Sequence, residues 1–405
     1  MTLSTKLLAG VAFAFSILPI MASAEDKTIS FVECGDKLND VHADLIKKWE
    51  AANAGFKIAP EAVGWDQCQD KVTTLAAAGT PVGLAYVGSR TLKQFSANDL
   101  IVPVTYTEEE KKAYYPYIVE TVTSNGKQWG VPVAFSTKSL YWNKDLFAAA
   151  GLDPEKAPAT WAEQLAAAKA IKEKTGTAGF GVVAKTFDNT MHQFLHWVYS
   201  NNGSVIDADN KITLDSPENL AALTALKDIT AYAEEGPTSY EQNEVRAIFL
   251  DGKLGMIQAS VGAKNLLKDA KFKWGVAPLP LGPNAKGPGT LLITDSFAIF
   301  KGTGVEDKAV EFAKFLASPE NQPVYEAAEG LTPLRPGPAV DKLVADDPNW
   351  KPFIDGISYG GPEPLFTDYK GLQNTMIELV QSVVTGKAEP ADALKKAAAD
   401  LEQYK

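Results

Sequence analysis

Ile29-Ser30-Phe31-Val32, then Asp44-Leu45-Ile46-Lys47-Lys48-Trp49-Glu50-Ala51-Ala52, then Phe56-Lys57-Ile58-Ala59: these three runs, read in order, decide the fold. The first and third are short, apolar and rich in β-formers, which reads as strand. The middle run places Leu45, Ile46, Trp49 and Ala52 on one face at helical spacing. Strand, helix, strand at this separation is a βαβ unit, which predicts parallel pairing and an α/β class. The alternation continues with a helix from Gln69 to Ala78, stopped by Gly79 and Pro81. A strand at Leu84-Ala85-Tyr86-Val87 follows, then helical patterns near 160 to 174, 216 to 234, 305 to 317 and 369 to 385.

Ahead of this pattern, Lys6 precedes an apolar run from Leu7 to Ile20 that ends in Met21-Ala22-Ser23-Ala24. A charged start, an apolar centre and an A-x-A end are the parts of a secretory signal peptide, with cleavage expected after Ala24 and periplasmic localisation to follow. The run is shorter than the ~20 apolar residues a spanning helix needs. Cleavage would leave 381 of the 405 residues, too many for one core, so two domains are expected. Lys6 is the one charge in that segment, and its removal takes the formal net charge from -11 to -12. No basic patch stands out in this acidic chain, which argues against nucleic acid or anionic lipid as a partner.

The two cysteines, Cys34 and Cys68, match no metal-binding or redox spacing. Export makes a disulfide between them the expected state. Each follows a strand-like run, and if those strands are neighbours in a parallel sheet their ends lie ~5 Å apart, within reach of a bridge.

Catalytic motifs fail on their context. Gly356-Ile357-Ser358-Tyr359-Gly360 fits a nucleophile elbow, but Pro362 and Pro364 follow where a helix is required, and no histidine comes after His196. His192 and His196 have the spacing that puts two imidazoles on one helix face, yet Gln193 stands where a zinc protease has its general base, so packing or a ligand contact is the reading. Asp207-Ala208-Asp209-Asn210 starts like a calcium loop, but Lys211 and Ile212 occupy positions that need an oxygen ligand and a glycine, so it reads as a turn. No phosphate-cradling glycine motif is present. Neither a metal nor a cofactor is expected.

Several segments resemble the maltose-binding type of extracellular sugar-binding protein. They begin with Gly35-Asp36-Lys37 after the first strand, Ala77-Ala78-Gly79-Thr80-Pro81, and Asn125-Gly126-Lys127-Gln128-Trp129-Gly130-Val131-Pro132. The strongest is Leu140-Tyr141-Trp142-Asn143-Lys144-Asp145-Leu146-Phe147 with Thr160-Trp161-Ala162-Glu163 after it. Leu250 to Met256, Gly275 to Pro280 and Phe315 to Glu320 complete a series covering nearly the whole mature chain.

The resemblance implies a two-lobe periplasmic-binding-protein fold with a hinged cleft, each lobe discontinuous in sequence. The N-terminal lobe would take 25-135 and 280-330, and the C-terminal lobe 136-279 and 331-405. It further implies the substrate-binding component of an ABC importer, monomeric and without catalysis, that delivers a small sugar to a membrane permease. Asp36 and Lys37 match sugar-contacting positions of the family; a carboxylate accepts from vicinal hydroxyls and an ammonium donates. Trp65 offers a stacking face. Ser89 and Arg90 stand where the family has Asp-Arg, and Ser136 where it has an acidic ligand. Ser260 and Gly262 fall where an aromatic platform is common. Thr294, Asp295 and Ser296 close an apolar run, and Arg335 and Tyr359 lie in loops that face the cleft in relatives. Fewer aromatic and acidic groups than a maltodextrin site carries imply a smaller solute: a monosaccharide, disaccharide, polyol or acidic sugar conjugate. An exported carbohydrate-active enzyme and a receptor for a signalling partner are the readings from other classes.

Overall fold

The computed structural model describes residues 26-35 and 37-405. The expected signal peptide and Asp36 lie outside the described residues.

The first βαβ unit forms as its pattern predicts. Strands β1 (Lys27–Cys34) and β2 (Phe56–Val63) pair in parallel along their whole length, and β3 (Leu84–Gly88) pairs in parallel on the other side of β1. The helix between the first two, Asp40–Ala52, is capped by the Asn39 side chain and buries His42, Ile46 and Trp49, while Ala52 stays exposed. The next helix runs Trp65–Ala77, starting after Gly64 rather than at Gln69. Cys68 therefore lies in the first turns of a helix and not at a strand end. Its Cα is still 5.5 Å from that of Cys34, and the two are disulfide-bonded.

The expected parallel pairing holds for β1, β2 and β3, and is corrected for most of the strands that follow. A short hairpin, β4 (Thr123–Ser124) with β5 (Lys127–Gln128), leads into β6 (Val131–Ser136). After two residues the chain enters β7 (Ser139–Asn143), which pairs antiparallel with β8 (Met256–Ala259) and β9 (Trp274–Ala277) in a separate three-stranded sheet. The long strand β10 (Thr290–Ile299) then returns to the first sheet and runs antiparallel to both β3 and β6. It arrives from the second body, so its direction opposes that of the βαβ strands. The last strand, β11 (Gly360–Pro362), joins the start of β10 in parallel.

Two large cores result. One packs Ile29, Phe31, Tyr86, Phe297 and Phe312 around the first sheet. The other packs Trp161, Phe180, Phe194, Trp197 and Leu372 among the helices Trp161–Thr175, Asp188–Tyr199, Pro217–Thr230 and Tyr369–Val384. Three of these helices match the periodic segments 160 to 174, 216 to 234 and 369 to 385 within a few residues, and the fourth, Asp188–Tyr199, carries His192 and His196. In the second core Gly179 lets two backbones touch, since a Cβ there would sit 2.2–2.6 Å from backbone atoms of Ala168. Gly179→Ala is expected to lower the urea-unfolding free energy by about 1–3 kcal/mol through overpacking; an unchanged midpoint and slope would show that this contact yields freely.

Candidate functional site

The carboxyl end of β3 turns directly into Ser89 and Arg90, both buried. A guanidinium 4% exposed must be paired. Arg90 Nη2 and Nε donate to Asp188 Oδ2 at 2.7 and 3.2 Å, Nη1 donates to Glu363 Oε2 at 3.4 Å, and Asp295 Oδ1 is 3.6 Å from Nη1. Asp295 belongs to the first sheet, whereas Asp188 opens a helix of the second core and Glu363 follows β11. The network thus ties the two bodies together.

Each carboxylate is held differently. Asp188 Oδ1 accepts from Tyr369 Oη at 2.7 Å and from Gln373 Nε2. Burial alone would raise this carboxyl, but Arg90, His192 and the Tyr369 hydroxyl outweigh it and hold it at about 2. Glu363 Oε1 accepts from His192 Nε2 at 2.6 Å. Asp295 has one strong donor, Tyr86 Oη at 3.1 Å, and burial pushes it up to about 6 against the pull of Arg90. A β-bulge falls between Asp295 and Ser296, where the register with β6 slips by one residue at Val133. Ser296 faces the other way, its Oγ 2.7 Å from Ser89 Oγ.

Beside this network lies a cavity of about 370 Å³ that both bodies line, Trp65, Gln69 and Thr91 from one and Phe187, Tyr369 and Gln373 from the other. Trp65 meets Tyr86 edge-on at 5.3 Å. A second cavity of about 370 Å³ is lined by Ser89, Arg90, Thr294 and Glu363.

Of the residues expected from sequence, Ser89, Arg90, Asp295 and Ser296 come together, with Trp65 and Thr294 on the adjoining cavities. Ser136 ends β6 opposite Ile293 of β10. The Ser260 carbonyl accepts from Tyr141 Oη at 3.0 Å, and Gly262 opens a helix that meets Glu329 and Gly330 of the first body. Two residues are engaged elsewhere. Lys37 is exposed and pairs with Asp40 at 3.2 Å. Arg335 donates to the Ala317 carbonyl at 2.7 Å and lies over the Tyr114 ring at 4.1 Å, which uses its guanidinium within the first body. Tyr359 is half-buried in the turn before β11. In the elbow-like segment a helix, Lys351–Gly356, precedes Ser358 and a strand follows, the reverse of a nucleophile elbow; Ser358 Oγ donates to the Asp355 carbonyl. Asp207 Oδ1 accepts from the Asp209 and Lys211 amides, as a turn requires.

Sequence reasoning missed Tyr86, Asp188, His192, Glu363 and Tyr369 as members of this cluster. One signal existed: Pro362 and Pro364 flank Glu363 as Pro333 and Pro336 flank the region of Arg335, and both segments hold their charged residue on a stiffened backbone.

Residues 37–323 match the family described as bacterial extracellular solute-binding protein. A protein of Brucella abortus (strain 2308), named as a binding protein, is 29% identical over 403 residues, 96% of each chain. The sn-glycerol-3-phosphate-binding periplasmic protein of Salmonella typhimurium is 25% identical over 426 residues, 96% of this chain and 92% of that one. The solved structure of maltose-bound MalE3 of T. maritima superposes with a TM-score of 0.82 at 25% identity, covering 93% of this chain and 99% of that chain. The two bodies are therefore the lobes of a periplasmic-binding-protein fold, and this chain belongs to the bacterial extracellular solute-binding proteins.

Proposed function

We propose that this chain is the substrate-binding component of an ABC importer, which holds one small sugar or sugar derivative between its lobes and hands it to a membrane permease. The observation that carries this reading is the polar network of Arg90, Asp188, Asp295 and Glu363 where the lobes meet, beside a cavity lined by aromatic, amide and hydroxyl side chains. Such a lining suits a polyhydroxylated solute: carboxylates accept from hydroxyls, amides do both, and Trp65 can cover an apolar ring face. The relatives' names, one for a glycerol phosphate and one bound to maltose, support the same class. The two cores support lobes of 25-135 with 280-330 and 136-279 with 331-405, with β11 returning to the first sheet beside the hinge. Export to the periplasm, a monomeric state and the absence of turnover complete the proposal.

A thermal-shift screen of sugars, polyols, amino acids and peptides tests it, because a ligand that binds the folded state raises Tm by mass action. A response confined to amino acids or peptides would overturn the sugar reading, and product formed from a responding sugar would overturn the binding-only reading.

Asp295 is the network's carboxylate with the most free acceptor capacity, so Asp295→Asn is expected to weaken binding by about 10- to 100-fold, the worth of one hydrogen bond to a charged group. The unliganded variant should be as stable as the parent at pH 7 or more so. The folded carboxyl titrates near 6 and the unfolded one near 3.8, so its stabilising contribution is full below the lower value and is lost as pH rises through the higher. Urea melts at pH 4.5 and 7 should show a smaller pH dependence in the variant; an undiminished slope would mean that other groups carry it.

A further inference from the structure

Lys138 sits in the two-residue crossing between β6 and β7, where its amide donates to Thr290 Oγ1 at 3.2 Å and its carbonyl accepts from the same hydroxyl at 2.8 Å. Its backbone is therefore fixed to β10, while its half-buried ammonium has no carboxylate within 4.0 Å among the described residues. The charges that act on it are mixed: Arg246 repels it, and Asp295 and Glu363 attract it from beyond ion-pair distance. Arg246, also half-buried, donates to Asn243 Oδ1 at 2.7 Å and likewise lacks a carboxylate within ion-pair distance among the described residues, with Glu241 attracting it from farther away. Beside Lys138 lies His196, 1% exposed, whose Nδ1 donates to Gln258 Oε1 at 3.0 Å. That bond leaves Nε2 as the acceptor, and Nε2 is buried with no partner among the described residues.

Two uncompensated cations and an unsatisfied buried acceptor, on elements that converge on the lobe interface, are what a bound molecule would complete. We propose that Lys138, supported by Arg246, is an anion subsite of the cleft, and that the solute is a small polyhydroxylated molecule bearing one phosphate or carboxylate group. The anion replaces the missing counter-charge of Lys138, a hydroxyl donates to His196 Nε2, and further hydroxyls donate to Asp295. Arg90 is not available for the anion, because three carboxylates already neutralise it, and Arg335 is committed to the Ala317 carbonyl and the Tyr114 ring. This inference rests on the solute-binding reading above and narrows it to one charge class.

Burial and Arg246 lower the Lys138 ammonium to about 8, against the pull of Asp295 and Glu363, and burial with Lys138 lowers His196 to about 3, so His196 stays a neutral acceptor. Affinity for an anion should be flat between about pH 6 and 8, fall above that window as Lys138 deprotonates, and fall below it as Asp295 takes up a proton and loses acceptor capacity.

Calorimetry on the full mature protein at pH 7 with glycerol 3-phosphate, glucuronate, ribitol, glucose and inorganic phosphate is the test. The expected result is binding of a charged polyhydroxylated probe, at least about tenfold tighter than any neutral one, and weakened by added salt. Lys138→Gln should weaken that binding by about 10- to 100-fold, Lys138→Arg should retain most of it, and Lys253→Gln, which removes the same charge from an exposed turn, should leave it unchanged. Circular dichroism melts confirm that each variant is folded. Neutral probes binding as tightly as charged ones or full affinity in Lys138→Gln would overturn the anion subsite and leave the solute-binding reading intact, and inorganic phosphate binding as tightly as its ester would overturn the polyhydroxylated solute. No response to any sugar, polyol or acid across the wider screen would overturn both.

Discussion

Arg90→Met is expected to be the most damaging single substitution at the lobe interface, lowering stability by about 3–5 kcal/mol at pH 7.5, because it strands carboxylates that burial keeps from water. Asp188 is 1% and Glu363 5% exposed, so neither can recover its hydration. The effect should depend on pH in a definite direction. In the parent, Asp188 titrates near 2, below its unfolded value of 3.8, so its contribution is present above the unfolded value and lost only as pH falls toward 2. Without Arg90 the folded carboxyl loses its strongest attraction and rises, and protonation relieves the variant as pH falls. Urea melts at pH 7.5 and 4.5 should therefore show a gap that narrows at the lower pH. Asp188→Asn added to Arg90→Met should recover part of the loss, as expected for residues that share one network. Ligand response should vanish in the single variant, since the same guanidinium orders Asp295 and Glu363. A loss below about 1 kcal/mol at pH 7.5 would mean that the network contributes no net stability, as exposed pairs do.

Cys34→Ser with Cys68→Ser should cost roughly 3 to 4 kcal/mol in the chain-entropy account of a bridge closing a loop of this size, less any native strain. The bridge spans a sequence separation of 34 and joins the end of β1 to the first turns of the helix Trp65–Ala77. Both cysteines are buried in the first core, so the serine hydroxyls add a desolvation cost. The bridge also fixes the segments that carry Lys37 and Trp65, and affinity should fall in the double variant along with Tm. Thiol titration of exported protein in denaturant, without prior reduction, should find no free thiol; two would show that the bridge does not form in the exported protein.

The contrast between these residues and those read from sequence has a physical pattern. Local chemistry is short-ranged, so what depends on it was legible: the strand Leu84–Gly88, the helices near 160, 216, 305 and 369, the stop at Gly79, and the candidates Ser89 and Arg90 at a strand's carboxyl end. Resemblance in the ordered motifs added the lobes. The strand direction of β10 was not legible, because it depends on the chain returning from another sheet. Nor was the displaced Cys68, since one glycine at position 64 moved a helix start by four residues.

By itself, then, the sequence determined the α/β class, the element series, the cysteine pair and the likeness to two-lobe binding proteins, all of which follow from periodicity, composition and motif order along the chain. Only the tertiary structure decided which charges meet. Asp188, Glu363 and Asp295 converge on Arg90 from positions 98, 273 and 205 residues away, Arg335 is spent on Ala317 and Tyr114, and Lys138 is left without a counter-ion among the described residues. Pairing of buried charges is set by distances of a few ångströms between segments remote in sequence, and no local pattern encodes those distances.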